Sequence, residues 1–296
     1  MKACLFKSLI LILFVLFFGC DAKQDAIQVV TFNIRYDNPA DGINRWEARI
    51  PIVKSYFERT APDVIGMQEV LYNQLLDLEE ILPGYSHVGT GRDDGIRGGE
   101  YSPIFFRDDV FQLLDYSQFW LSETPSVPGS MGWDAAHTRI VTWAKLAHKD
   151  TGKEIYFFNT HFDHRGVLAK QMSVDLMSEK MADIAGDSPL VAMGDFNIRK
   201  RSLSLGGALY YNLICGFKEN NALSNAEYAS MNPVTSAGAT SNGFNPNWRE
   251  RPPHAIDYIF ANDHLVVESY RVDNEIEGDV FISDHWPVVA YLGFAK

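Results

Sequence analysis

The chain has 296 residues, of which 46% are hydrophobic and 13% aromatic, so it can bury one large core and is predicted to form a single domain. Its formal net charge is −12. This acidity argues against tight non-specific binding to nucleic acid, because long polyanions gain their affinity from many Lys and Arg contacts to phosphate.

The chain begins with a predicted secretory signal. Lys2 and Lys7 precede an apolar run from Leu9 to Phe18, which is too short to span a bilayer and is typical of the apolar region of a signal peptide. Residues 1–19 are therefore predicted to be removed. Since this segment holds two lysines and no acidic residue, the mature chain would carry 24 basic and 38 acidic residues, a net charge of −14.

The signal ends in Gly19-Cys20 and resembles that of bacterial lipoproteins, in which cleavage leaves the cysteine as a lipid-modified first residue. Phe17 stands where these signals usually carry Leu. The resemblance implies a lipidated tether over residues 20–26, a membrane anchor at Cys20 and a location in the cell envelope. The alternative is an ordinary signal peptide cut nearby. Cys215 would remain alone in the mature chain, so no disulfide framework is expected.

The remainder, residues 27–296, reads as one domain of strands with a few helices. Apolar β-branched runs predict strands at 27–32, 64–67, 103–107, 111–114, 139–146, 154–159, 190–193, 255–260 and 288–292. Amphipathic spacing predicts helices at 46–59, 71–82 and 168–184. Residues 197–247 are too polar and too rich in Gly and Asn to assign. Because the strands do not alternate regularly with helices, we predict an α/β (α+β) fold of two packed mixed sheets with helices outside.

Several predicted strands end in a carboxylate, carboxamide or imidazole, which is how a rigid sheet presents polar groups at its rim. The segments are Thr31-Phe32-Asn33, Met67-Gln68-Glu69-Val70, Asn159-Thr160-His161, Gly194-Asp195-Phe196-Asn197 and Ser283-Asp284-His285. Singly, such residues are more often turn-forming or structural. Their occurrence together in this order favours a reaction centre.

These residue types suit the hydrolysis of phosphate esters, which needs a cation, a group that activates water and donors facing the phosphate. Glu69, Asp195 and Asp284 are hard oxygen donors that suit Mg²⁺ or Mn²⁺. His161 and His285 can donate to phosphate or shuttle protons near neutral pH. No zinc-ligand pattern is present. The sequence therefore predicts a divalent-metal-dependent phosphoester hydrolase.

The order of these motifs resembles the endonuclease/exonuclease/phosphatase superfamily, which includes DNase I-like nucleases, neutral sphingomyelinases and inositol-phosphate phosphatases. The resemblance runs from Thr31 to Pro287. Its most specific parts are Gly194-Asp195-Phe196-Asn197 and Ser283-Asp284-His285. It implies a DNase I-like, four-layer α/β/β/α sandwich and in-line attack of an activated water.

The resemblance also implies a role for each residue of the metal and water sites. Glu69 matches the metal-binding glutamate, and Asp284 sits where the family places a second metal-side carboxylate. Asn33 would help to order the metal shell for Mg²⁺ or Mn²⁺. Asp195 matches the aspartate that orients or deprotonates the attacking water, and Asn197 matches the carboxamide that holds phosphate.

Four further residues are matched to the proton-transfer and phosphate groups of the family. His285 corresponds to the terminal histidine, and Asp257 to the carboxylate that fixes its ring. His161 corresponds to the other active-site histidine, which contacts phosphate or assists the leaving group. Arg139 resembles a phosphate-binding arginine by a looser match.

Three residues are predicted to contact substrate. Tyr101 and Trp133 lie in predicted loops near the rim, where aromatic rings can stack on a base or sugar; packing within the loops is the alternative. If the strand continued past His161, Asp163 would share its face and His164 would point away. Asp163 is therefore a candidate substrate or supporting residue, and His164 is expected to be a loop residue.

The branch within the superfamily is left open by the sequence. Ile256-Asp257-Tyr258-Ile259 resembles the closing motif of the CCR4/nocturnin branch, whereas other segments look like a bacterial lipoprotein subgroup. The primary interpretation is a phosphodiesterase or phosphatase acting on a phosphorylated small molecule. The alternatives are a 3′–5′ exonuclease or endonuclease acting on RNA or DNA, and a catalytically silent binding lipoprotein. No obligate protein partner is predicted.

Overall fold

The computed structural model describes residues 26–200, 205–232, 238–250, 252 and 254–295. The predicted signal peptide and lipid attachment site, with all of the predicted tether except residue 26, lie outside the described residues. Within the described part of the chain, no helix has the length and apolar character needed to cross a membrane.

Each predicted strand and helix is present in the predicted order, and the structure adds strands and helices that the sequence did not predict. The strands are β1 Ile27–Asn33, β2 Val64–Gln68, β3 Tyr85–Val88, β4 Ile104–Arg107, β5 Phe111–Trp120, β6 Ile140–His148, β7 Glu154–His161, β8 Leu190–Asp195, β9 Ser224–Asn225, β10 Asp257–Ala261, β11 Leu265–Val272, β12 Ile276–Glu277, β13 Val280–Phe281 and β14 Val288–Phe294. The helices are α1 Trp46–Thr60, α2 Tyr72–Ile81, α3 Val167–Ala185, α4 Leu205–Asn221 and α5 Ala226–Ala229, with 3-10 turns at Pro39–Asn44 and Trp248–Glu250.

The strands form two mixed six-stranded sheets, and β12 and β13 form a small hairpin. The first sheet has the order β11-β14-β1-β2-β4-β3 and the second the order β5-β6-β7-β8-β10-β9. Apolar side chains from the facing surfaces of both sheets form a shared core, among them Val29, Val64, Phe157 and Val191. The prediction of two packed mixed sheets is therefore confirmed.

The helices cover the outer face of each sheet. From α1 and α2, Tyr56 and Leu78 belong to the same apolar cluster as Phe32 of β1. From α3 and α4, Met177 and Leu213 belong to the same apolar cluster as side chains of the second sheet. The layers thus run helix, sheet, sheet, helix, which confirms the four-layer sandwich implied by the resemblance.

A buried polar bridge joins the two sheets near the strand ends that lead to the candidate site. The Gln68 side chain at the end of β2 donates from Nε2 to Asn159 Oδ1 on β7 at 2.7 Å. Asn159 Nδ2 in turn donates to the carbonyls of Met67 at 2.7 Å and Pro103 at 2.9 Å. A Cβ at Gly66 would lie 2.8 Å from Asn159 Oδ1, so glycine permits this close approach. Because buried amides need partners, the bridge fixes how the sheets dock.

Strand β5 is longer than the strand predicted from the sequence. Residues 111–114 were expected to form the strand, whereas β5 continues to Trp120. A register shift between Leu113 and Asp115 interrupts the alternation of exposed and buried positions, and the middle of the strand is exposed and polar. The period-2 pattern that marks a half-buried strand is therefore absent there.

Arg49 on α1 is fully buried and joins two segments that lead to the candidate site. Burial lowers the pKa of Arg49 to about 10, so the side chain is still a cation at neutral pH. Its guanidinium donates to the backbone carbonyls of Ile34, Arg35, Asn44 and Ile282. Two of these carbonyls follow Asn33 and one precedes Asp284, so Arg49 holds these two segments together.

Replacing Arg49 with Met is expected to destabilise the protein by about 3 kcal/mol or more, because several buried carbonyls lose their donor. Thermal unfolding should show a melting temperature lower by about 6 °C or more. Lys54→Met on the same helix, where the side chain is 55% exposed, is the control and should change little. Equal melting temperatures for Arg49→Met and the wild type would contradict the assignment.

Candidate active site

Strand register brings the predicted site residues to one edge of the sandwich. In the second sheet, Asp195 is opposite His161 in the parallel pair of β7 and β8, and opposite Asp257 in the antiparallel pair of β8 and β10. In the first sheet, Asn33 is opposite Gln68, which directly precedes Glu69. Residues far apart in sequence therefore meet because of how the strands pair.

Asp195, which is 1% exposed, lies at the centre of this cluster. Asn33 Nδ2 donates to Asp195 Oδ2 and to Glu69 Oε1, both at 3.1 Å. His161 Nε2 lies 3.6 Å and His285 Nε2 lies 3.9 Å from the same Asp195 oxygen. Three residues predicted from separate motifs thus surround the Asp195 carboxylate, and Asn33 links it to Glu69.

The backbone at the ends of β2 and β8 adopts conformations that few residue types can adopt without strain. Gly194 has φ 149°, and a Cβ there would lie 2.1 Å from the Thr160 carbonyl oxygen, so only glycine fits. Glu69 and Asn197 have φ 60° and 50°, the left-handed region that costs non-glycine residues about 1 kcal/mol or more. The Asn197 N–H donates to Asp195 Oδ1 at 2.9 Å, which helps to offset this cost.

His285 is oriented by Asp257. Its Nδ1 lies 3.0 and 2.9 Å from the two Asp257 carboxylate oxygens, which leaves Nε2 facing Asp195. Burial alone would lower the pKa of His285, but the carboxylates of Asp257 and Asp195 raise it well above its usual value. His285 is therefore a cation at neutral pH.

Thr240 supports this pair and was missed in the sequence. Its hydroxyl donates to Asp257 Oδ2 and accepts the N–H groups of Ile256 and Asp257 at 3.0 and 3.1 Å. Thr240 lies within residues 197–247, for which no secondary structure could be assigned, so no pattern pointed to it.

His161 has the opposite electrostatic environment. Burial lowers the pKa of His161 well below its usual value, and the positive charges of Arg139 and Arg92 add to the effect, so this imidazole is neutral. Its Nδ1 lies 3.7 Å from Glu100 Oε2. Glu100 in turn accepts two hydrogen bonds from Arg92, at 2.6 and 2.9 Å. Two histidines whose pKa values are shifted in opposite directions are a common feature of acid–base sites.

Arg92 and Glu100 were also missed in the sequence. They flank a glycine-rich segment whose spacing matches no nucleotide-binding fingerprint. The hydrogen bonds of Arg92 to Glu100 place both side chains beside His161, which is more than 60 residues away in the chain. No local signal could have revealed that contact.

Arg139 is a buried cation with unused donors. It is 5% exposed, its Nη2 donates to His164 Nδ1 at 3.3 Å, and its Nε lies 3.7 Å from Asp163 Oδ2. Among the described residues, no acceptor bonds its Nε or Nη1. Buried donors without acceptors are costly, so these groups are suited to an anionic ligand.

His164 is a loop residue, as expected. The strand alternation that would have turned it away does not apply, because β7 ends at His161. The chain then turns, and the His164 ring contacts Arg139 and stacks on His137 at 5.5 Å between ring centroids.

Two carboxylates of the first sheet meet near Arg35. Arg35 Nη1 lies 3.8 Å from Glu69 Oε2, and its Nε lies 4.0 Å from Asp284 Oδ2. Burial raises the pKa of Asp284, and the charge of Glu69 raises it further. A divalent cation would relieve this repulsion, and an all-oxygen pair suits Mg²⁺ or Mn²⁺. The Asn33 side chain donates to Glu69 and to Asp195, an arrangement suited to ordering the Glu69 ligand.

A second group of potential ligands lies in the other sheet. Single ligand atoms of Asp195, Asp257 and His285 lie within 4.8 Å of one another. Within this group, however, the Asp257 carboxylate already binds the His285 ring. The all-oxygen set of Glu69 and Asp284 therefore fits a hard cation better.

The remaining predicted residues lie around this cluster. Tyr101 is buried, and its hydroxyl donates to the Ile96 carbonyl at 3.0 Å. Trp133 is half-buried at φ 52°. The Asp163 carboxylate accepts the backbone N–H groups of Ala136, His137, Arg165 and Gly166, which anchors the loops beside Arg139. Direct substrate contact by these three residues stays a prediction.

Comparisons with known proteins agree with this geometry. A sequence model described as the Endonuclease/Exonuclease/phosphatase family matches residues 30–285. A solved endonuclease/exonuclease/phosphatase from Bacteroides vulgatus is 39% identical with a TM-score of 0.83, over 91% of this chain and 99% of that one. A mannosyl-6-phosphatase from Bacteroides thetaiotaomicron is 33% identical with a TM-score of 0.78, over 90% of this chain and 100% of that one.

A more distant likeness concerns the fold alone. The human nocturnin catalytic domain is 21% identical with a TM-score of 0.64, and the alignment covers 91% of this chain and 94% of that domain. The sequence-based resemblance to the superfamily is confirmed by the family model and by the two Bacteroides structures.

Proposed function

Because the chain belongs to the endonuclease/exonuclease/phosphatase family, whose members hydrolyse phosphoesters, we propose that it is a divalent-metal-dependent phosphatase that removes a terminal phosphate from a small molecule. The observation that carries this proposal is the buried Arg139, with donors that no described residue accepts, beside Arg92 and the neutral His161. A terminal phosphate offers more charge and more free oxygens than a diester, and so suits the unused donors of the Arg139 guanidinium.

The likeness to a mannosyl-6-phosphatase, at 33% identity over all of that chain, supports a phosphorylated sugar as the substrate class. The net charge of −12 supports a small substrate over a nucleic acid.

Asp195 is assigned as the base that orients and deprotonates the attacking water. Burial and the neighbouring Asp257 raise the pKa of Asp195 to about 7, close to the pH at which a general base is most effective. The Asn197 N–H and the Asn33 side chain each donate to its carboxylate. These bonds hold it in the geometry needed to position the water, and the Asn197 carboxamide is assigned to the phosphate.

His285 and Arg139 are assigned to the phosphate group. The protonated His285 ring, fixed by Asp257, presents Nε2–H toward the reaction centre, and Arg139 presents its free N–H donors. Both stabilise the negative charge that develops on the phosphate oxygens. The neutral His161 lies between Asp195 and Glu100, where it contacts phosphate or assists the leaving group.

Glu69, which accepts a hydrogen bond from Asn33, and Asp284 would hold Mg²⁺ or Mn²⁺, which when bound neutralises phosphate charge. We also propose that the chain is anchored to the membrane of the cell envelope through Cys20, on the strength of the signal sequence. Fractionation of cells that express the chain or its Cys20→Ser variant tests this: the variant should leave the membrane fraction.

The test of the proposed function is turnover by the purified chain, residues 21–296, with Mg²⁺, with Mn²⁺ and with EDTA. The substrates are mannose 6-phosphate, p-nitrophenyl phosphate, the matched diester bis(p-nitrophenyl) phosphate, and single-stranded RNA and DNA. Metal-dependent turnover of the monoesters is expected. Preferential cleavage of the diester or of the polymers, with rates that fall steeply as salt is added, would instead favour the nuclease interpretation.

Arg139→Lys provides a sharper form of this test. Lysine keeps the charge but loses the fork of donors, so KM for the monoesters should rise about tenfold or more. The diester should be affected less. An unchanged KM would remove Arg139 from phosphate binding.

A further inference from the structure

A concavity adjoins the candidate active site on the side of His285. Its volume is about 900 Å³, which is large enough for a sugar-sized ligand. Its lining includes Arg199, Lys200, Ser241, Asn242, Trp248 and His254. Ser241 forms a β-bridge with His285, and the Asn242 N–H donates to the Asp284 carbonyl at 2.8 Å. The cavity wall is therefore continuous with the catalytic loop.

The charge of this lining is unusual for an acidic protein. Among the described residues that line the cavity, none is Asp or Glu, although the whole chain carries 38 acidic residues. Lys200 is paired with Glu227 at 2.7 Å, so its charge is offset. Arg199 donates from Nε to His254 Nε2 at 2.7 Å. A histidine ring that accepts a hydrogen bond is uncharged, so His254 does not offset the charge of Arg199.

In the described part of the chain, Arg199 has no carboxylate within salt-bridge distance, whereas Lys200 has one. A second unused donor lies in the same wall. Trp248 is 5% exposed, and its indole Nε1 has no acceptor among the described residues. A guanidinium without a counter-charge and a buried N–H without an acceptor are together suited to the oxygens of an anionic group.

We propose that this cavity binds the part of the substrate beyond the scissile phosphate, and that Arg199 holds a second anionic group there, either a phosphate or a carboxylate. The inference rests on the proposed function, because it treats the cavity as part of the substrate site. Arg199 follows Asp195 by four residues, so their Cα atoms are at most about 14 Å apart. The substrate class is therefore a small molecule with two anionic groups, such as a sugar bisphosphate or a phosphorylated sugar acid.

Binding measurements on a hydrolysis-deficient protein test this site separately from turnover. Isothermal titration of Asp195→Asn with Mg²⁺ would compare glucose 6-phosphate, glucose 1,6-bisphosphate and 6-phosphogluconate. The bisphosphate and 6-phosphogluconate, which carry a second anionic group, should bind about tenfold more tightly than glucose 6-phosphate. Adding Arg199→Gln should abolish that gain and change the affinity for glucose 6-phosphate less than about twofold. Arg45→Gln, which removes an exposed arginine paired with Glu47, is the matched control and should keep the gain.

The outcomes separate this inference from the proposed function. Equal affinities for the three ligands, or a gain that survives Arg199→Gln, would overturn the second anion site. A gain confined to single-stranded oligonucleotides and lost in Arg199→Gln would also overturn it, in favour of a nucleic-acid backbone. A gain in affinity for the bisphosphate alone would support a phosphate as the second anionic group. A gain for both the bisphosphate and 6-phosphogluconate would show that the site accepts either anion. If the wild type does not turn over any monoester, the proposed phosphatase activity is rejected, whatever the measured affinities are.

Discussion

Asp195→Asn is expected to lower kcat by about 10³-fold or more while leaving the fold intact, because it removes the base that activates water. The purified variant should be compared with the wild type on the monoester that turns over best. Asp187→Asn, at a fully exposed side chain, is the control and should keep full activity. Activity within tenfold of the wild type would exclude Asp195 from the proton transfer.

The same variant has a second expected property, which concerns stability. Burial and Asp257 raise the pKa of Asp195 from its usual value near 3.8 to about 7, so the folded chain holds a proton that the unfolded chain releases. The ionised carboxylate therefore opposes folding above pH 7, and this effect disappears as pH falls toward 4. In EDTA at pH 8, Asp195→Asn should melt at the same temperature as the wild type or higher. A much lower melting temperature would mean that lost activity reflects lost structure.

Asp257→Asn is expected to lower kcat by roughly 10² to 10⁴-fold through His285. The carboxylate fixes the ring and raises the pKa of His285, so an amide leaves the ring less charged and less well oriented. Activity that requires protonated His285 falls as pH rises through the pKa of that group. In Asp257→Asn this fall should move to lower pH, which a kcat profile between pH 5 and pH 9 would reveal.

A double-mutant cycle separates this role from a general loss of structure. If Asp257 acts through His285, then Asp257→Asn in a His285→Ala background should cause little further loss. Asp263→Asn, on the exposed turn after β10, is the matched control. Independent, additive losses would contradict the coupling. Unaffected biological function in both variants would instead favour the binding-lipoprotein interpretation.

The motifs predicted the residues of the site better than they predicted its surroundings. Glu69, His161 and Asp195 end apolar strands, and such residues converge whenever neighbouring strands pair in register. Their partners lack this signal. Arg92 and Glu100 lie in a glycine-rich loop, and Thr240 lies in a polar stretch, so only the folded chain reveals their contacts with His161 and Asp257.

The fold was predictable to a similar extent, for a related reason. Strands buried on both faces, such as β1 and β8, are continuous apolar runs that the sequence displays directly. The exposed middle of β5 and the edge strand β11, in which buried and half-exposed positions alternate irregularly, carry weaker patterns. Helix α4 follows residues whose composition resembles a loop, and its apolar face becomes evident only against the second sheet.

The division of the site between the two sheets has a consequence for folding. Asn33, Glu69 and Asp284 belong to the first sheet or its loops, whereas His161, Asp195 and Asp257 belong to the second. Only docking of the sheets, fixed by the bridge between Gln68 and Asn159, brings the two sets together. Turnover therefore reports on completed assembly of the sandwich: a refolding intermediate with one sheet formed is silent, and recovery of activity should lag behind recovery of β-structure.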